Sequence, residues 1–274
     1  MDGADDSRAF KAFEAAGWSR NAVGYGALTG RITAHVADPL LDAARVADGT
    51  TVLDVGCGRG DLCAAAAARG ARPTGVDLAD GMVAAAREAH PGLAFRVGDA
   101  EELPFAPAAF DAVLAAFVVN HLPHPERAAS EWRRVLAPGG RVAVAMWDQP
   151  ERVAFLGLLD AAMDAAKVER GLLLPPGPAA YRFADDAELR ALLTIAGFGE
   201  PTVRPLTWTH RIASIEAWWE GGLGSLVRAS AAVVHQPPAV QARIRAAFER
   251  LAAEYRAEGG FVVPAAAKIA AGRR

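Results

Sequence analysis

The alternation between Thr51 and Trp147 constrains the fold most. Short apolar runs there take turns with Ala-rich helical patterns. Thr51–Val55 reads as a buried strand, and Gly56–Gly60 as a turn. Asp61–Arg69 reads as a helix stopped by Gly70, and Arg72–Asp77 as a second strand. A helix from Asp80 to His90 follows, then strands at Leu93–Val97 and Phe110–Phe117. A helix opening at Pro125 runs to about Leu136, and a strand at Arg141–Trp147 comes after the break at Pro138-Gly139-Gly140. Strand and helix alternating at this spacing predict a parallel sheet with helices on both faces. Buried parallel strands read as near-continuous apolar runs, as these do.

The turn after the first strand is Val52-Leu53-Asp54-Val55-Gly56-Cys57-Gly58-Arg59-Gly60. Its glycines let backbone approach a ligand, and the helix that follows points its N–H groups into the crevice. A dinucleotide fingerprint would place its third glycine where Asp61 stands; the triplet here is Gly56, Gly58, Gly60. Asp54 precedes it. A carboxylate at that point suits an ammonium group better than a pyrophosphate. Asp77 ends the second strand, where a carboxylate accepts ribose hydroxyls, and Asp99 follows the third, within reach of an exocyclic amine. Three acids at three successive strand ends mark the crevice where open α/β sheets bind ligands.

Composition narrows the class. With 52% hydrophobic and 22% charged residues, the chain can bury a full core and is not disordered. A net charge of −3 argues against a nucleic-acid surface or a polybasic membrane patch. Two cysteines, Cys57 and Cys63, are too few for a disulfide framework and lack metal-finger spacing, so no metal is expected. The acidic start, Met1–Asp6, does not read as a signal peptide, and the longest apolar run, about Ala112–Val119, is too short for a membrane span. A cytoplasmic enzyme is the expectation.

One domain over 1–274 is expected. It comprises a helical segment at 1–48, a cofactor-binding core at 49–150, helical lid segments at 151–185 and 211–258, and further sheet at 186–210 and 259–274. Within the flanks, Arg8–Ala16 and Ile32–Arg45 are helical in pattern, with Pro39 as a kink. Leu172–Pro178 is a Pro-rich loop. Asp185 with Glu188 has capping-box spacing, and Ser214 is placed to cap a helix. Pro201–Trp208 reads as a strand that Pro205 confines to an edge. Pro238–Glu258 carries Val240, Ile244, Phe248, Leu251 and Tyr255 on one helical stripe, and Phe261–Gly272 closes the sheet.

Val52–Gly60, Gly75-Val76-Asp77, Gly98–Phe105, Phe110–Leu114 and Arg134–Gly140 together resemble the class I S-adenosylmethionine-dependent methyltransferases. They are most similar to the small-molecule branch that includes the ubiquinone and menaquinone biosynthesis enzymes. The resemblance is specific over about Gly30–Trp147 and weaker behind it. It implies a Rossmann-like, seven-stranded, mostly parallel sheet of order 3-2-1-4-5-7-6 with the last strand antiparallel, and S-adenosylmethionine as cofactor. It assigns Asp54, Gly56, Gly58 and Gly60 to the methionine and ribose part, Asp77 to the ribose hydroxyls, and Leu78 and Met82 to the adenine pocket. Asp99 and Ala100 meet the adenine edge, Ala116 and Phe117 lie near the methionyl moiety, and Tyr25 and Arg31 reach toward its carboxylate.

For the reaction, His121 follows the fourth strand and is the candidate base, because an imidazole titrates near neutrality. Asn120 is a candidate polar contact. Trp147, Phe155, Tyr181 and Trp218 supply an apolar lining for the acceptor. The expected activity is methyl transfer to the oxygen, nitrogen or carbon of a small apolar metabolite, in secondary metabolism or quinone-like biosynthesis. The alternative is a cofactor-binding relative that catalyses another reaction, such as a cyclisation. A non-enzymatic binding module and a nucleic-acid methyltransferase are disfavoured, the latter by the acidic balance and by Asn120 being followed by His121-Leu122-Pro123.

Overall fold

Val52, Leu53 and Val55 are almost wholly buried, as an apolar run flanked by partners on both sides requires. They belong to β1 (Thr51–Val55), which pairs in parallel with β2 (Arg72–Asp77) on one side and β4 (Phe110–Ala116) on the other. β2 pairs in parallel with β3 (Ala94–Val97), and β4 with β5 (Leu136–Trp147). The computed structural model describes residues 3–168, 174–179 and 181–274; the first two residues of the loop expected at Leu172–Pro178 lie outside them.

The sheet has the order β3-β2-β1-β4-β5-β8-β6, with β6 (Gly199–Ile212) at the edge and β8 (Gly260–Arg273) antiparallel to β5. This is the expected order. The closing strand is eighth in the chain because a two-residue strand, β7 (Arg256–Ala257), pairs with the start of β8. The edge position of β6 agrees with Pro205 inside it.

The chain divides into two compact units, and each has its own helices. One comprises 33–148, 177–206 and 267–274, and holds α3 (Ala37–Ala43), α4 (Asp61–Ala68), α5 (Asp80–Ala89), α6 (Pro125–Val135) and α8 (Asp186–Ile195). The other comprises 1–32, 149–176 and 207–266. It holds α1 (Gly3–Tyr25), nearly all of α2 (Thr29–Thr33), α7 (Ala154–Ala165), α9 (Ile215–Leu223), α10 (Val227–Val234) and α11 (Pro238–Ala252). Its core contains Phe155, Trp218, Ile244 and Phe248. Among the described residues, no helix is long and apolar enough to cross a membrane.

Several boundaries differ from those read in the sequence. α1 continues well past Ala16, because Gly17 sits where a Cβ would lie 2.3 Å from Val227 Cγ1 and so acts as a packing glycine, not a stop. Between Ile32 and Arg45 the helix breaks at a 3-10 turn, Ala34–Val36, not at Pro39. Pro39 falls in the first turn of α3, where its missing N–H has no helical partner to lose. β5 starts at Leu136, before the Pro-Gly-Gly break. Its register to β4 jumps from Phe110↔Leu136 to Ala112↔Arg141, so Pro138–Gly140 form a bulge. α11 stops at Ala252, and Ala253–Tyr255 tighten into a 3-10 turn before β7. α10 falls within the stretch 211–258 read as helical, and its Ala- and Val-rich sequence carries no capping side chain to mark its start.

At α8 the capping box is only half formed. Asp185 accepts from Ala187 N–H at 2.8 Å, but Glu188 turns to Phe183 N–H at 3.0 Å instead of the Asp185 backbone. Asp185→Ala should lower unfolding stability by about 1 kcal/mol, read as a shift in the urea midpoint at constant m-value. No shift would mean that Glu188 alone holds the start of α8.

Candidate cofactor site

Parallel pairing of β3, β2, β1 and β4 brings their C-terminal ends to one side of the sheet. The sequence puts its chemistry there. Gly56, Gly58 and Gly60 all have positive φ, +70°, +53° and +82°, so each takes the backbone conformation that glycine adopts without strain. Two of the three are also packed. A Cβ on Gly56 would lie 2.7 Å from Val118 Cγ2, and one on Gly60 2.6 Å from Phe95 Cζ. Gly58 is different, because a Cβ there would meet nothing within 4 Å. That open side of the turn is where a ligand can approach backbone.

Asp77 fastens this turn. Its Oδ2 accepts from Gly58 N–H and its Oδ1 from Ala79 N–H, both at 2.9 Å. Each oxygen retains a lone pair for a further donor. Desolvation raises the Asp77 carboxyl above its ordinary range, while these N–H groups and the nearby His121 imidazole draw it down. His121 thus lies within electrostatic reach of Asp77. Its Nε2 is 3.3 Å from Asn120 Nδ2, in the 3-10 turn Val119–His121 after β4.

Asp54 is 1% exposed. Its Oδ2 accepts from the Cys63 thiol at 3.5 Å. Burial pushes the Asp54 carboxyl up to about 7; the thiol lowers it, and Asp77 and Asp61 add to the rise. A buried carboxylate crowded by two other acids calls for a cation. Cys63, buried in the first turn of α4, carries no site signal in the sequence beyond that place.

Asp99 Oδ1 accepts from Glu101 N–H at 2.9 Å, an Asx turn that shapes the loop after β3. α6 pins that loop through Glu131 to Leu103 N–H and through Arg134 to the carbonyls of Leu103 and Phe105. Ala100 and Met82 are buried, and Leu78 is partly exposed. At the end of β4, Phe117 takes φ +56° and stacks on Trp147, ring centroids 4.1 Å apart. Trp147 is buried and Phe117 half-buried, so Phe117 presents the accessible face of this pair.

The structure therefore brings Asp54, the glycine turn, Asp77, Leu78, Met82, Asp99, Ala100, Ala116, Phe117, Asn120, His121, Trp147 and the half-buried Tyr181 into one unit. Tyr25, Arg31, Phe155 and Trp218 belong to the other. There Tyr25 makes an edge contact with Trp18 at 5.9 Å, and Arg31 is exposed. Phe155 is fully buried, and Trp218 is enclosed by Phe248, Tyr255 and Phe261 at 5.5–5.8 Å, contacts that serve the packing of that unit.

A mostly parallel sheet of this strand order, with acids gathered at the C-terminal ends of its first three strands, defines the doubly wound α/β class. Residues 53–144 match the family model described as "Methyltransferase domain". A demethylmenaquinone methyltransferase of Beutenbergia cavernae is 33% identical over 54% of this chain and 61% of its own length. A ubiquinone/menaquinone biosynthesis C-methyltransferase of Pseudomonas putida is 30% identical over 61% of this chain and 72% of its own. Among solved structures, the YcgJ protein of a Bacillus has a TM-score of 0.56 at 18% identity, covering 88% of this chain and 98% of that one. The [4+2]-cyclase SpnF has 0.52 at 23%, covering 87% and 80%. The chain belongs to the class I S-adenosylmethionine-dependent methyltransferases, and S-adenosylmethionine is the cofactor of that class. The residues present fit it: open space beside Gly58 for the ligand, and a buried carboxylate for its ammonium.

Two outcomes follow for the cofactor end. Asp77→Ala should weaken S-adenosylhomocysteine binding, read by calorimetry, by about tenfold or more, since hydrogen bonds to a charged group contribute roughly 1.5–3 kcal/mol. The loss includes the anchor on Gly58; unchanged affinity would remove Asp77 from the site. For Asp54, the folded carboxyl is raised from 3.8 to about 7. Its contribution to folding is therefore fully present below 3.8 and is lost as pH rises through about 7. Asp54→Asn should raise the melting temperature of the ligand-free protein at pH 8 more than at pH 5. An equal effect at both would contradict the burial of an ionising group.

Proposed function

We propose that the chain transfers the methyl group of S-adenosylmethionine to a small, largely apolar acceptor. The observation that carries this reading is the change of chemistry along the strand ends. Asp54 and Asp77 stand at the C-terminal ends of β1 and β2 and Asp99 just after β3, whereas β4 ends at uncharged Ala116, followed by Phe117. The first three serve the polar parts of the cofactor, and the fourth, uncharged itself, borders the reacting centre. The demethylmenaquinone and ubiquinone/menaquinone methyltransferases similar to this chain support an acceptor with a flat apolar ring.

The bound cofactor supplies an electrophilic methyl group on a sulfonium. The chain's own residues bind and orient. Asp54 pairs with the ammonium group, Asp77 accepts the ribose hydroxyls while holding Gly58, and Asp99 and Ala100 meet the adenine edge beside Leu78 and Met82. Phe117, backed by Trp147, bounds the acceptor on its apolar side, with Asn120 and Tyr181 as further contacts. Holding the acceptor on the axis of the displacement contributes the most, up to about 7–11 kcal/mol in well-oriented reactions. His121 takes the proton from a hydroxyl acceptor.

The test uses methyl-labelled cofactor with menadiol and simple phenols as acceptor probes. Label in product supports the reading. Conversion of a probe without label favours the second reading, a non-methylating reaction such as the cyclisation for which the fold neighbour SpnF is named. In the same assay His121→Ala should lower turnover about a hundredfold, with S-adenosylhomocysteine affinity little changed. Equal loss of cofactor affinity would instead assign His121 to Asp77 and the ribose.

A further inference from the structure

The chain has three lysines, Lys11, Lys167 and Lys268, against 26 arginines. Lys268 is buried inside β8, directly opposite Met146 of β5. Its Nζ donates to Asp186 Oδ1 at 2.8 Å, lies 3.3 Å from Asp148 Oδ1, and donates to the Ala184 carbonyl. An ammonium has three donors, and here three acceptors take them. A planar guanidinium aims its donors in a fixed fork and does not converge on one point in this way. The acceptors come from two segments. Asp148 follows Trp147 at the end of β5 and is 2% exposed. Ala184 and Asp186 lead into α8, just after Tyr181.

We propose that Lys268 is a positioning residue of the acceptor side: its ammonium locks the end of β5, and through the Trp147–Phe117 stack it fixes the turn that carries Asn120 and His121. The inference rests on the reading of that side as the acceptor site. Three contacts transmit the effect. Cross-strand neighbours share a face, so Lys268 and Met146 lie on one face and Trp147 on the other, with its backbone held on both flanks. Trp147 then stacks on Phe117, 26° from parallel. Phe117 N–H donates to the Ala145 carbonyl at 2.8 Å, so the turn leaves β4 directly from the strand that Lys268 tethers. The left-handed conformation of Phe117 is uncommon for a non-glycine residue, and such a conformation persists where the surroundings hold it.

Lys268→Met alone leaves Asp148 as a buried carboxylate missing its cation, so the double variant Lys268→Met/Asp148→Asn is measured beside it. Hydrogen exchange followed by mass spectrometry should show faster exchange at 117–121 and 181–186 in both, with α4 and α5 unchanged. Affinity for S-adenosylhomocysteine should stay within about threefold, because the acids and glycine turn at the other strand ends are untouched, while turnover of menadiol falls tenfold or more at saturating cofactor. A purely structural lysine would loosen the whole unit and weaken both ligands alike. Unchanged exchange at 117–121, or menadiol turnover within twofold of wild type, overturns the proposal. If the wild-type protein does not methylate menadiol, the acceptor reading fails on its own, and the exchange at 117–121 decides for or against Lys268.

Discussion

The carboxylate of Asp77 holds the site together before any ligand arrives. One oxygen takes Gly58 N–H and the other Ala79 N–H, so a single side chain at the end of β2 fixes the turn after β1 and the start of α5. Both are backbone donors that a parallel sheet leaves without strand partners at its C-terminal edge. Gly56 and Gly60 complete the arrangement by admitting Val118 and Phe95 against the backbone, which leaves Gly58 as the open point. The glycine pattern thus divides in two: close packing at two positions and open space at the third.

The core was legible because each of its signals is local. Val52–Val55 and Phe110–Ala116 are apolar runs interrupted only by Asp54 and Asp111, and Gly70, Gly92 and Pro125 mark where elements stop or start. The acids at 54, 77 and 99 could be placed together because parallel strands share a direction. What could not be read depends on partners distant in sequence. Gly17 looks like a helix stop until Val227 is packed against it. Cys63 looks like any buried thiol until it faces Asp54. Lys268, Asp148 and Asp186 have no common period, and only the register of β8 on β5 brings two of them to one end of the sheet. Aromatic residues were legible as apolar but not as belonging to one unit or the other. Trp147 and Trp218 read alike in sequence, yet one stacks behind Phe117 and the other fills an aromatic cluster.

Both units bury a carboxylate: Glu14, which accepts from Trp18 Nε1 at 2.9 Å, in one, and Asp54 in the other. In the unit made of 1–32, 149–176 and 207–266, buried Thr29 and Ser225 lie 2.5 Å apart, and Ser225 also donates to the Gly221 carbonyl, a neutral network that satisfies itself. In the other, Asp54 is buried and crowded by like charges, and Lys268 is buried among acceptors. Buried charge is costly and persists where something is gained from it. Beside the glycine turn, that cost points to binding and positioning as well as to folding.

The distribution of charge also bears on how rate can arise. Methyl transfer from a sulfonium removes a positive charge as it proceeds. Carboxylates close to the transferring group would favour the charged ground state over the transition state and so slow the reaction. The strand ends avoid this. Their acids, Asp54, Asp77 and Asp99, stand at the ends of β1 and β2 and just after β3, while β4 runs out into Ala116 and Phe117 with the Trp147 ring behind. Asp54, raised to about 7, holds less charge in the ligand-free protein than its chemistry alone would give it. With little electrostatic stabilisation to offer at the reacting centre, such a site must act mainly by orientation, and orientation is set by whatever fixes the end of β4. That places the burden on packing: an aromatic stack, a strained φ at Phe117, and the strand β5 that supports both.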